Sequence, residues 1–500
     1  MVGIEEIIRM NIRKLDDDEN NEDVQLNEKI TIDQLIDNIP INIIHRIAII
    51  LALGNAADAV EIMCVGFIMS NMGENNEITQ SQKEFLTASV FIGMLFGGLI
   101  CGYMSDRIGR RPTLLTCLIV NTVFGLFSAV APNVTWLIFF RIIAGLGIGG
   151  SVPAVFSLGA ELFPAANRGK LLSLIASFWM VGAIFTAAVA WIMLGETLSG
   201  IKIIPSSGWR SFAVICALPA LIAFIFTIIY IPESPRYDME KGNKEKASIT
   251  LSTLLGCPVD PSYVISKPIK KIDKSTTLSP MMDNNKVKYD DIDNIDKDNN
   301  NSSSAVASFL TLFRPNHIWK TSVLSVIWFT LCFGSYGIST WISQLFEDVG
   351  LSNAYGDSFI FALANLPGNI VSIMFVEKLG RRRLLSYGMC LSALSLIGFI
   401  IDPSQAAVVV ISASLFNAFS VVGWNSLDCM SVEYFPTGAR TSAMGLLAAC
   451  GRLGAISAQF VNGSLEGNVT ALLLVTSGCM AVGGLFSWLL PHDCTGTLDE

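Results

Sequence analysis

The sequence predicts an all-α membrane protein of twelve transmembrane helices arranged as two pseudo-symmetric six-helix bundles. Three observations predict it: an apolar composition, twelve segments long enough to cross a bilayer, and a pair of motifs that recurs at one offset. Of 500 residues, 52% are hydrophobic and only 15% charged, against about 25% charged in an ordinary soluble domain. Most of the chain must therefore face lipid or other apolar helices.

A bilayer-spanning helix needs about 20 apolar residues. In the first half such segments run approximately over 43–69, 84–104, 112–131, 135–158, 170–194 and 210–231. In the second half they run over 318–345, 356–376, 383–401, 405–430, 441–464 and 469–490. The expected organisation is a tail (1–42), a first bundle (43–231), a linker (232–317), a second bundle (318–490) and a short tail (491–500). The linker ends in the low-complexity run Asp290 to Ser304, a composition expected of disorder.

The repeat sets the architecture. Glu161-x-x-Pro164-x-x-x-Arg168 recurs as Glu433-x-x-Pro436-x-x-x-Arg440, 272 residues later, and Ile108-Gly109-Arg110-Arg111 recurs as Leu379-Gly380-Arg381-Arg382, 271 residues later. An offset spanning six helices makes both halves enter the membrane in the same direction, as in parallel repeats about an axis along the membrane normal. A solute site between the halves follows.

Charge fixes orientation and excludes other classes. The net charge of -9 comes from acids crowded in the tail (Asp16, Asp17, Asp18, Glu19, Glu22, Asp23) and around Asp290 to Asp298, so it describes solvated segments. No basic surface suited to nucleic acid exists. With the N-terminus in the cytosol, Arg107, Arg110, Arg111, Arg168, Lys170, Lys378, Arg381, Arg382, Arg383 and Arg440 lie inside, and only Lys83 and Lys202 outside. Both tails and the linker are then cytosolic. No cleavable leader is visible, and the first helix is expected to serve as an uncleaved anchor. The eleven cysteines show no metal spacing and read as small buried residues. Catalytic, cofactor and metal motifs are absent, so the chain is expected not to be an enzyme. Sequons at Asn133, Asn462 and Asn468 fall in expected outer loops, and Asn301 in the cytosolic linker.

Two motifs suggest gating. Gly102-Tyr-Met-Ser-Asp106-Arg107-Ile-Gly109-Arg110-Arg111-Pro112 occupies a tight turn between helices 2 and 3, where glycines allow reversal and Asp106 pairs with arginine or a helix N-terminus. It closely resembles the signature loop of the major facilitator superfamily, which implies a cytosolic gate latch; a positively charged topology anchor is the plainer alternative. Glu161, Arg168, Glu433 and Arg440 of the repeated motif join this gating set. Arg141-Ile-Ile-Ala-Gly145-Leu-Gly147-Ile-Gly149-Gly150 begins helix 4 and resembles that superfamily's second motif. Its glycines allow close helix packing, and Arg141 either snorkels to the interface or takes part in proton coupling.

Acids deep in a span are costly, about 2.5–3.5 kcal/mol each at mid-bilayer on insertion scales. Asp58 and Glu61, spaced i, i+3, share one face of helix 1, and Asp428 lies one turn after Trp424 in helix 10. Arg452 in helix 11 is their natural cationic counterpart. Either these groups form a structural salt bridge or two acids share a proton, as proton-coupled exchange would need. Trp179, Trp328, Tyr336 and Trp424 supply aromatic walls for the same cavity.

Further motifs narrow the resemblance. Asp58-Ala-Val-Glu61, Phe178-Trp-Met-Val-Gly182, Pro232-Glu-Ser-Pro-Arg236, Trp328-Phe-Thr-x-x-Phe-x-x-Tyr336-Gly and Trp424-Asn-Ser-Leu-Asp428 make residues 41 to 465 similar to the synaptic vesicle glycoprotein 2 and related-protein family. The resemblance implies the major facilitator fold, and a transporter-like protein of plasma or vesicle membranes. It also implies a cavity faced by Asp58, Glu61, Trp179, Trp328, Tyr336, Trp424, Asp428 and Arg452, with Arg452 where that family more often has lysine. The short loop Glu347 to Gly356, in place of a large luminal domain, resembles the related-protein branch. The expected partners are the lipid bilayer, a small polar or charged organic solute such as an organic ion, and protons or another coupling ion in symport. A non-transporting regulator or partner-binding vesicle protein is the alternative.

Overall fold

The structure, a computed structural model, describes residues 30–74, 77–195, 208–261, 264–265, 310, 312–402, 405–435 and 437–491. The acidic tail residues, Lys202, the 290–304 run and residues 492–500 lie outside the described residues. Among the described residues, twelve helices are long and apolar enough to cross a membrane. In chain order they are α1 (Ile41–Glu74), α2 (Gln80–Ile108), α3 (Arg110–Ala129), α4 (Val134–Leu162), α5 (Arg168–Leu194) and α6 (Trp209–Tyr230). The second six are α7 (Pro315–Asp348), α8 (Ala354–Leu363 and Asn365–Leu379), α9 (Arg381–Ile401), α10 (Ala406–Glu433), α11 (Thr437–Ser464) and α12 (Val469–Phe486).

Most spans run past their expected ends, because hydropathy marks only the lipid-facing stretch while the helix continues into polar turns. The break in α8 at Ala364 has a local cause. Pro367 cannot donate to the Leu363 carbonyl and its ring crowds that group; Asn365 then donates its Nδ2 to the Ala362 carbonyl at 2.7 Å.

The packing repeats with the sequence. Within the first half α2 packs on α4, α3 on α4, α1 on α5 and α3 on α6; adding six to each number gives α8 on α10, α9 on α10, α7 on α11 and α9 on α12. Across the halves α2 meets α11 and α5 meets α8, a pair exchanged by the same operation, and α1 meets α7. Two glycines make the matching turns possible. Gly109, between α2 and α3, has φ +110° and Gly380, between α8 and α9, has φ +81°, a region where a Cβ is strained. The end carrying these turns is called here the motif end, and the opposite one the far end.

At the motif end the start of the linker is ordered. Short helices span Pro235–Glu240 and Lys244–Leu255, and Val264–Ile265 (β2) pairs in parallel with Ile30–Thr31 (β1). Thr31 caps the helix Ile32–Asp37 in a reciprocal box with Gln34. Ile32, Leu35 and Ile36 enter a core with Leu162, Phe163, Leu171, Met239 and Leu251. Asp33 pairs with Arg236 at 2.8 Å, and Asp37 accepts from the Ala165 N–H at 2.9 Å.

Candidate functional site

A cavity of about 250 Å³ lies between the halves. The first half contributes Asn55 of α1 and Trp179 and Met180 of α5; the second contributes Trp328 and Tyr336 of α7, Asn369 of α8, Trp424 and Asp428 of α10, and Arg452 of α11. Six of the eight residues expected to face a solute therefore line one space.

Their geometry is built from aromatic edges and donated hydrogen bonds. Trp328 and Trp424 meet edge to face at 5.6 Å between ring centroids, and Tyr336 meets Trp424 at 5.8 Å. Trp328 Nε1 donates to Ser431 Oγ at 2.8 Å, and Trp424 Nε1 to Ser335 Oγ at 2.9 Å. The indoles thus keep fixed faces toward the cavity. The Arg452 guanidinium stands 5.5 Å from the Tyr336 ring centroid, a cation–π distance. Asp428 is exposed on the cavity wall, and no hydrogen bond or ion pair holds its carboxylate among the described residues. A free carboxylate, a guanidinium and three aromatic rings suit a small charged or polar organic molecule.

Asp58 and Glu61 sit elsewhere, and here the expectation is corrected. Both are buried inside the first half. Asp58 accepts from Ser151 Oγ of α4 at 2.6 Å and from Asn121 Nδ2 of α3 at 3.4 Å. Glu61 Oε2 lies 2.5 Å from Arg141 Nη1, with both side chains 1% exposed. The shared face of helix 1 meets α3 and α4 instead of the cavity. Arg141, two turns inside α4, is Glu61's cation; it neither snorkels nor leaves that place to Arg452.

Most of the residues expected to gate gather at the motif end. Arg110 pairs with Asp106 at 3.1 Å and with Glu161 at 3.1 Å. Arg107 lies 4.6 Å from the Tyr103 ring, and its carbonyl accepts from Tyr237 Oη at 2.7 Å. Arg111 donates to the Ile228 carbonyl at 2.9 Å and Arg168 to that of Phe163 at 3.5 Å. In the second half Arg381 pairs with Glu433 at 3.5 Å, repeating the Arg110–Glu161 contact. Gly102 is half-buried on the last turns of α2, and Arg440 is half-buried near the start of α11. Each of these bonds stays inside one half.

Several groups escaped the sequence reading. The anion at the α3 N-terminus is Glu233, whose Oε1 accepts the N–H groups of Arg110 and Arg111, each at 3.1 Å. Burial pushes its carboxyl up from the usual carboxylate range, against the hydrogen bonds from Ser234, Arg111 and Arg110. Its signal was the Pro232-Glu-Ser-Pro-Arg236 string, read only as a family mark. Across the cavity, Asn425 donates to Asn369 at 2.8 Å and Asn369 to Met180 Sδ at 3.0 Å, which links α10, α8 and α5. Two smaller expectations fail: Asn462 is buried and donates to the Gly337 carbonyl at 3.0 Å, so it is no glycan acceptor, and Cys429 is exposed.

Comparison with known proteins agrees with this architecture. Residues 55–497 match the family described as sugar (and other) transporter. Synaptic vesicle glycoprotein 2A of Rattus norvegicus is 26% identical over 571 aligned positions, covering 89% of this chain and 76% of that protein. Synaptic vesicle glycoprotein 2C of Homo sapiens is 25% identical over 581 positions, covering 90% and 78%. Among solved structures, a D-xylose–proton symporter superimposes with a TM-score of 0.67 at 20% identity, covering 91% of this chain and 100% of that one. The partially occluded inward-open xylose transporter XylE from E. coli gives 0.66 at 19%, covering 90% and 100%. At such identity these structures establish the fold alone. With the family match over most of its length, the chain belongs to the sugar (and other) transporter family of the major facilitator superfamily.

Proposed function

We propose that this protein is a secondary transporter that carries a small polar or charged organic solute by alternating access, with a proton as the coupling ion. The observation that supports this best is the cavity at the junction of the two halves, lined from both and holding the free carboxylate of Asp428. Rocking of two rigid bundles around such a site exposes it to one side at a time. Asp428 and Arg452 give the solute its charge contacts, and Trp179, Trp328, Tyr336 and Trp424 its walls. Asp428, the carboxylate open to the cavity, is also the group that takes and returns the proton. Gly102, Asp106, Arg107, Arg110, Arg111 and Glu161, with Arg168, Glu433 and Arg440, brace the motif end of each half and serve as its gate. That end faces the cytosol, with both termini and the 232–317 linker, in a plasma or vesicle membrane.

The test is uptake by purified full-length protein in liposomes, with and without a proton gradient, over a panel of organic cations, organic acids and sugars. Accumulation driven by the gradient is the expected result. Neither uptake nor binding of any panel member would favour a non-transporting regulator of vesicle membranes.

A further inference from the structure

Beside the Asn369–Met180 contact at the cavity, the polar bonds that join the halves among the described residues cluster at the far end, away from the repeated motifs. Lys83, in the first turn of α2, is buried, and its Nζ lies 2.5 Å from Glu466 Oε1, just past the end of α11. The same ammonium reaches Gln344 Oε1 of α7 at 3.4 Å. Its stem passes over Gly73 of α1, where a Cβ would come within 3.1 Å of Lys83 Cε and Nζ. One side chain of the first half thus touches α1, α7 and the segment after α11. Around it, Ser70 donates to Glu347 at 2.5 Å, Gln80 donates to the Gly463 carbonyl, and Phe85 meets Phe460 edge to face at 5.2 Å.

We propose that Lys83 is the positioning residue that holds the far end of the protein shut, through Glu466 and Gln344. Exposure separates this pair from Glu61–Arg141. The Lys83 and Glu466 side chains are 11% and 19% exposed, whereas those of Arg141 and Glu61 are each 1% exposed. As the halves part, water entering at the rim can take over the bonds of Lys83 and Glu466, so this contact breaks and reforms at lower cost than a fully sealed one. A fully sealed pair has no such substitute and stays intact. Lys83 therefore marks where the halves part, and Glu61–Arg141 lies within a body that moves as one. The latch rests on the alternating-access reading above.

The experiment is oxidative cross-linking of a cysteine pair, Phe85→Cys with Phe460→Cys, in full-length protein in liposomes with the native cysteines replaced. Lys83→Ala is expected to slow cross-linking by about fivefold. Lys83→Arg, which keeps the charge, and the reversal Lys83→Glu with Glu466→Lys are expected to restore it. Cross-linking at the parent rate in Lys83→Ala overturns the proposal, as does a reversal variant that stays as slow as Lys83→Ala. If Lys83→Ala does not fold, Glu466→Gln takes its place, with the same two outcomes. This readout needs no solute. A cross-linking response without any uptake keeps the latch and removes the transport reading, and uptake with cross-linking indifferent to Lys83 does the reverse.

Discussion

Arg141 Nη1 lies 2.5 Å from Glu61 Oε2 in the interior of the first half, and neither side chain reaches solvent. The pair joins α4 to α1, and Cys64 Sγ, 3.2 Å from the same Arg141 nitrogen, adds a polarisable neighbour. Two charges so placed stabilise the fold only as long as both are present.

Arg141→Ala is therefore expected to cost about 3–5 kcal/mol, since it strands a carboxylate in an apolar interior. Glu61→Leu combined with Arg141→Met is expected to recover most of that loss, because an apolar pair of similar volume needs no desolvation. Thermal unfolding in detergent measures both.

Asp428→Asn and Arg452→Gln are expected to weaken binding of a charged solute by about 10–100-fold each, the worth of one hydrogen bond to a charged group. A ligand-dependent thermal shift, or quenching of Trp424 fluorescence, reads this. Asp58→Asn is expected to leave affinity unchanged, because Asp58 faces Ser151 and Asn121. Equal loss in Asp58→Asn would move the site into the first half.

Glu233→Ala removes the acceptor of the Arg110 and Arg111 N–H groups at the start of α3 and is expected to cost about 0.5–2 kcal/mol, in the range of a lost helix cap, whereas Glu233→Gln keeps an oxygen there and removes only the charge. The sign of its pH dependence follows from burial, which raises the carboxyl above its unfolded value. The folded protein then holds that proton more tightly than the unfolded chain. Its stabilising contribution is complete below the unfolded pKa of about 4.3 and is lost as pH rises through the raised value. Stability of the parent relative to Glu233→Gln should fall over that interval; a constant difference would refute the assignment.

Gly109→Ala is expected to destabilise by about 1–3 kcal/mol, the usual cost of a non-glycine residue in a strained backbone region. A Cβ at Gly109 also strikes the Glu233 carboxylate, so urea or thermal denaturation of Gly109→Ala reads strain and collision together.

Depth in the membrane was legible in the sequence, and direction around a helix was not. Hydropathy places each span, and the twin Gly-Arg-Arg turns place the motif end, because both depend on neighbours along the chain. The spacing of Asp58 and Glu61 correctly gives one shared face, but nothing local says that this face meets Ser151 and Arg141 instead of the cavity. Trp424 and Asp428 share a face too, and theirs does meet the cavity. Asn462 shows the same limit: a sequon near a helix end looks exposed until α7 is packed over it. Glu233 was hidden for another reason, since its partners are backbone N–H groups that carry no residue signature.

The pairing of Ile30–Thr31 with Val264–Ile265 sets an order of assembly. The earliest described residues find their strand partners only after six spans have been made and the chain has passed β2. Until then the contact of Ile32 and Ile36 with Leu162, Phe163 and Leu171 lacks the strand pair that anchors it. The N-terminal segment is thus a staple across the first half, and a chain stopped before residue 264 would lack the strand that fastens it.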